Sequence, residues 1–157
     1  MSVSPSASAT ATSSEPTASP SAQPCSTSQL AVSAVRSGGK ALPTALEFRN
    51  TAKAACTLSG VPGVSYVRNA GGVNVGPLAV PSGGPSRVVL DPGGRARAPL
   101  SVRPYSELSV TKCRPTSVGG LQVSLPGQST KLFVPSPGVA CGAGTVSLLK
   151  IGSLQAG

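Results

Sequence analysis

Apolar and polar positions alternate with a period of two through most of this chain, the spacing of strands that bury one face. The cleanest run is at 95–103. There Ala96, Ala98, Leu100 and Val102 share one face, and Arg95, Arg97, Ser101 and Arg103 share the other. Upstream, Leu42, Thr44, Leu46 and Phe48 alternate with Ala45, Glu47 and Arg49. Further strands are predicted over 30–35, over 56–58, from Val64 through Arg68, up to Leu90, over 121–125, at Leu132 and Val134, and over 146–151. Residues 73–80 read as two short edge strands broken at Gly76-Pro77, because proline is tolerated at a sheet edge. Residues 104–113 read as a connection ending in a short strand, and Pro135-Ser136-Pro137-Gly138 as a rigid loop.

Turn-forming pairs punctuate these runs: Gly38-Gly39, Pro62-Gly63, Gly71-Gly72, Gly83-Gly84, Pro92-Gly93, Gly119-Gly120, Pro126-Gly127 and Pro137-Gly138. Pro62 cannot donate to a ladder, and Gly63 follows where a type II turn wants positive φ. Asn50-Thr51 supplies turn chemistry of another kind, since short polar side chains can bond the local backbone. Many short strands with breakers at this spacing predict an all-β sandwich or barrel.

Composition divides the chain in two. Ser, Ala, Thr and Pro fill 20 of residues 1–24, with Glu15 the one charge. Such a segment cannot bury enough apolar surface to offset its backbone entropy, so a disordered stalk or linker is expected there. Residues 25–157 are the right length for one compact domain.

All 13 basic residues fall in that domain against three acids, Glu47, Asp91 and Glu107. A net charge near +10 favours anionic partners through long-range attraction. Arg95, Arg97 and Arg103 form the candidate anionic-ligand face; at strand rise they would span about 27 Å, enough to track an extended polyanion. The competing reading is a solvated strand face whose charges discourage edge pairing. The basic residues are scattered and the chain has four aromatics, Phe48, Tyr66, Tyr105 and Phe133. That pattern argues against a nucleic-acid stacking platform.

Cys25, Cys56, Cys113 and Cys141 lie 31, 57 and 28 residues apart. No pair has zinc-finger or redox spacing, and the chain has no histidine, so no metal site and no cofactor are expected. Two disulfides fit an even count in a small β domain. Of three connectivities, Cys25–Cys56 with Cys113–Cys141 is favoured, since each would staple neighbouring strands of one half. Disulfides imply an oxidising compartment. Met1 runs into a Ser/Pro-rich stretch with no basic n-region or apolar h-region. The expectation is therefore a mature form whose signal peptide or lipoprotein leader lies upstream. No run of 18 apolar residues occurs, so no transmembrane segment is expected.

Catalytic groups are scarce. Without histidine a Ser-His-Asp site cannot form, no phosphate-loop motif appears, and Asp91 before Pro92-Gly93 is an ordinary turn residue. The chain is read as a non-enzyme.

The stretch Asn50-Thr51 followed by Cys56-Thr57-Leu58-Ser59-Gly60-Val61-Pro62-Gly63-Val64 resembles the motif N-T…C-T-L-x-G-x-P-G-V of the domain-of-unknown-function 4232 family. Residues Leu90-Asp91-Pro92-Gly93-Gly94-Arg95-Ala96, Cys113-Arg114-Pro115, the run from Leu121 to Gly127, and Cys141 are similar to its later features. The likeness covers residues 25 to about 151. It implies an immunoglobulin-like antiparallel β-sandwich stapled by two disulfides, in an exported or lipid-anchored protein of actinobacterial type, and implies no activity. The expected function is a non-catalytic module, extracellular or attached to the cell envelope, that binds an anionic surface polymer or a protein partner. The alternative is a structural or assembly subunit of an extracellular or cell-surface particle; a small secreted enzyme or inhibitor is a third reading.

Overall fold

The computed structural model describes residues 23–38, 42–84, 86–126, 128–143 and 147–157. Of the expected tail, 1–24, all but Gln23 and Pro24 lie outside the described residues, as do the turn and strand positions Gly39, Gly127 and Val146. Gln23 and Pro24 run beside Thr57: the Gln23 carbonyl accepts from the Thr57 N–H at 2.8 Å, and the Cys25 N–H returns to the Thr57 carbonyl at 2.9 Å.

Alternation becomes strand wherever one face can be buried. The strands are β1 (Leu30–Val35), β2 (Ala45–Asn50), β3 (Cys56–Ser59), β4 (Gly63–Val67), β5 (Asn74–Val75) and β6 (Val80–Pro81). They continue as β7 (Arg87–Leu90), β8 (Arg95–Val102), β9 (Pro115–Ser124), β10 (Lys131–Cys141), β11 (Leu149–Ile151) and β12 (Gln155–Ala156). One sheet has the order β1-β2-β8-β11-β6, with β12 pairing β8 beyond β11; a second runs β10-β9-β4-β5, and β3-β7 form a ribbon. Pairing is antiparallel except between β11 and β6. The fold is thus the all-β, disulfide-stapled sandwich that the alternation predicts.

The inward side chains form two clusters. The larger holds Leu46 and Phe48 of β2, Ala96, Ala98 and Leu100 of β8, Val64 of β4, Leu121 and Val123 of β9, and Val134 of β10. The smaller holds Val75, Val118, Ala140 and Leu148. Tyr66 packs against both. The disulfides are Cys25–Cys56 and Cys113–Cys141. The first sits in the larger cluster and the second in the smaller, so each apolar cluster has its own covalent staple.

Four local expectations are corrected. Residues 104–113 do not end in a strand; they form a 3₁₀ turn (Tyr105–Glu107) and a single helical turn α1 (Val110–Cys113), capped by Ser109, whose Oγ accepts from the Lys112 N–H at 3.3 Å. Pro135 to Gly138 is not a loop but lies inside the 11-residue β10. β10 is a sheet edge, where proline is tolerated because an outward-facing position has no ladder partner to lose. Gly119-Gly120 does not turn the chain; it lies within β9 at a register shift between Val118 and Gly120. A Cβ on Gly120 would come within 2.2 Å of the Val134 carbonyl oxygen, which is why no side chain fits there. Finally, the positive φ of the Ser59–Gly63 region belongs to Gly60 (φ +78), while Gly63 opens β4.

Asn50 ends β2 fully buried, and its side chain explains the Asn-Thr motif. Its Nδ2 donates to the Ala54 carbonyl at 2.9 Å and the Leu90 carbonyl at 3.0 Å, and its Oδ1 accepts from the Ala52 N–H at 2.9 Å. One amide therefore ties the β2–β3 loop to the end of β7. Thr51 adds an N–H and a hydroxyl, both donated to the Gln29 carbonyl.

Candidate functional site

The outward face of the first sheet brings four basic residues together, Arg49, Arg95, Arg97 and Lys150. In β8 every second residue from Arg95 to Ser101 is exposed while Ala96, Ala98 and Leu100 are buried. Register then sets the neighbours: Arg95 faces Arg49 and Arg97 faces Glu47 on β2, while Ser101 faces Lys150 on β11. Like charges directly opposite one another repel. The Arg49–Arg95 pair therefore needs a nearby anion, and Glu47 supplies it.

The Glu47 carboxylate receives Arg97 Nη2 at 3.1 Å and Arg97 Nε at 3.1 Å, and lies 3.8 Å from Arg95 Nη1. The two arginine side chains keep 56% and 50% of their exposure, against 16% for Glu47. The acid is tucked between the guanidinium groups while their outer edges stay in water. Among the described residues, neither Arg49 nor Lys150 has an acidic partner. The cluster therefore carries more positive than negative charge, in a row of roughly 20 Å along β8 from Arg95 to the Ser101–Lys150 pair at strand rise.

Arg103 is placed differently from Arg95 and Arg97. It follows the last residue of β8, its N–H bonds the Leu148 carbonyl at 2.8 Å, and its side chain pairs with Glu107 at 3.2 Å. It lines a cleft of about 400 Å³ with Lys150, Ser101, Ser147 and Val80. The structure thus groups Arg95 and Arg97 with Arg49, and Arg103 with Lys150. Arg49 and Lys150 were not legible as members: each belongs to a different strand from the arginine run, and only pairing brings them beside it.

The remaining chemistry is sparse. No group of three or more histidine, cysteine, aspartate or glutamate side chains that could hold a metal occurs among the described residues. The Ser-x-x-Lys spacing of serine–lysine hydrolases occurs at Ser37/Lys40, Ser109/Lys112 and Ser147/Lys150. Lys40 lies outside the described residues. Ser109 caps α1, and the Ser147 hydroxyl donates to the Leu78 carbonyl at 3.2 Å. No described helix is long and apolar enough to cross a membrane.

In comparison with known protein families, the model for a domain of unknown function, DUF4232, fits residues 25–155. No curated protein and no solved structure matches the chain.

Proposed function

We propose that this chain, which belongs to the DUF4232 family, is a non-catalytic binding module displayed outside the cytoplasm or on the cell envelope, and that its basic sheet face holds an anionic surface polymer. The observation that carries this reading is the Arg49–Arg95–Arg97 cluster: three guanidinium groups, one interleaved carboxylate, and half-exposed arginine side chains. Exposed guanidinium forks suit carboxylate and phosphate groups, and the +9 net charge draws polyanions from a distance. The intramolecular disulfides are compatible with an oxidising, extracytoplasmic setting. Two of the three domain carboxylates, Glu47 and Glu107, are engaged with arginines, which supports a binding role over acid–base chemistry. The assembly alternative needs free strand edges, and the long edge β10 carries Pro135 and Pro137, which oppose pairing.

The test is retention of the oxidised protein on isolated cell-wall material at low and high salt. Retention at low salt, release at high salt, and loss in an Arg95→Ala/Arg97→Ala/Arg103→Ala variant are expected. Absence of retention at either salt overturns the reading and redirects the search to a protein partner.

A further inference from the structure

We propose that the outer face of the second sheet carries a separate groove that binds a saccharide unit bearing a carboxylate or phosphate. The groove has a volume of about 380 Å³ and is lined by Phe133, Gln122, Lys131, Ser129, Gly71 and Gly72. That volume falls within the range of roughly 300–1,000 Å³ typical of small-ligand sites.

Strand pairing places its polar and aromatic groups in one row. Phe133 of β10 faces Gln122 of β9, which faces Ser65 of β4. Ser65 is buried and donates its hydroxyl to Asn74 Oδ1 at 2.8 Å; Gln122 Nε2 donates to the same oxygen at 3.4 Å. Asn74 is thus a positioning residue that fixes the Gln122 amide across the sheet. With Nε2 so engaged, Oε1 is the acceptor that Gln122, a lining residue, can offer a ligand. Ser129 adds a hydroxyl.

Each wall matches part of a sugar ring. Phe133 lines the groove and supplies an electron-rich aromatic ring, on whose face the C–H side of a pyranose can pack. Gly71 and Gly72, at the tip of the β4–β5 connection, have no side chain to hold a ring away from the backbone. The amide and hydroxyl groups suit sugar hydroxyls, since such sites combine an apolar platform with a few placed polar groups. Lys131 is exposed and has no acidic partner among the described residues, so it supplies charge for one anionic substituent. One apolar wall is too little for a lipid, and one cation too few for a polyanion. This site is independent of the arginine face, which lies on the other sheet.

The experiment is a titration of isotope-labelled, oxidised protein with methyl glucuronide, which carries one carboxylate, and, separately, with methyl glucoside, followed by amide chemical shifts. Saturable shifts at Gln122, Ser129, Lys131 and Phe133, and none at Arg95 or Arg97, are expected. Phe133→Leu, which keeps apolar bulk without a ring, should weaken both ligands roughly tenfold. Lys131→Ala should reduce the acidic ligand to the affinity of the neutral one and leave the neutral one unchanged. An Arg95→Ala/Arg97→Ala variant should bind both as the parent does, so this site stands or falls apart from the basic face. Absence of saturable shifts with either ligand, shifts confined to Arg95 and Arg97, or equal loss of both ligands in Lys131→Ala would each overturn the proposal.

Discussion

Glu47 on β2 meets Arg97 on β8 directly across the strand pair, with Arg97 Nη2 3.1 Å from its carboxylate. The same carboxylate is the nearest acid to Arg95, so it acts as an internal counter-ion that an incoming anion must outcompete. Glu47→Gln should therefore strengthen binding of a polyanion several-fold at low salt, and the gain should vanish as salt screens the face. Stability should change by less than about 1 kcal/mol, because the arginines are half exposed. Binding isotherms at two ionic strengths check this; unchanged or weaker binding in Glu47→Gln would show that the arginine face takes no anion.

The Asn50 amide bonds three backbone groups, the Leu90 carbonyl among them fully out of water. Asn50→Leu leaves the Leu90 and Ala54 carbonyls and the Ala52 N–H without that partner, each loss costing on the order of 1–3 kcal/mol when the group stays buried. Partial relaxation of the loop brings the expected total to roughly 3–4 kcal/mol. Asn50→Asp keeps the acceptor but loses both donors, and should be nearly as damaging. Denaturant unfolding measures both; a loss under about 1 kcal/mol would mean the loop finds other partners.

The two disulfides close loops of 31 and 28 residues, each worth about 3–4 kcal/mol in the chain-entropy model. Their effects should separate in space. Replacing Cys113 and Cys141 with serine should raise amide hydrogen exchange around Val118 and Ala140 of the smaller cluster before Phe48 or Leu46 of the larger. Replacing Cys25 and Cys56 should expose the larger cluster instead. Uniform loss of protection in both variants would show that the two clusters unfold as one unit.

Tyr66 should set an alkaline limit. Burial between the two clusters raises its hydroxyl from 10.0 to about 12. The fold favours the neutral phenol, so its contribution is whole below pH 10 and is lost as pH rises from 10 to about 12. The full shift corresponds to roughly 2–3 kcal/mol. Across that window Tyr66→Phe should lose less stability than the parent, measured by denaturant midpoint against pH. Parallel losses in the two proteins would assign the alkaline transition to other groups.

Local pattern carried the strands whose inner residues must be apolar. The alternation of 95–102 is β8, the run ending at Arg49 is β2, and the short strands flanking Gly76-Pro77 are β5 and β6 at two sheet edges. It failed where a neighbouring strand sets the conformation. Pro135 and Pro137 look like loop residues until β10 is seen to be an edge, and Gly119-Gly120 looks like a turn until the Val134 carbonyl is seen beside it. The four-residue α1 was invisible because one helical turn has no periodicity to read. The candidate face was half legible: Arg95 and Arg97 share one strand, while Arg49, Lys150 and the Glu47 counter-ion come to them through pairing.

The sequence by itself determined the β class, the cysteine pairing preference, the family likeness and the excess of basic charge, because period, composition and motif are local properties of the chain. Only the tertiary structure decided which arginines are neighbours, which acid sits between them, and that Phe133, Gln122 and Ser65 lie in one row on the opposite sheet. Those relations depend on strand order and register. Register is fixed by which faces are buried together, and a shift of one residue would turn every one of these side chains to the other face.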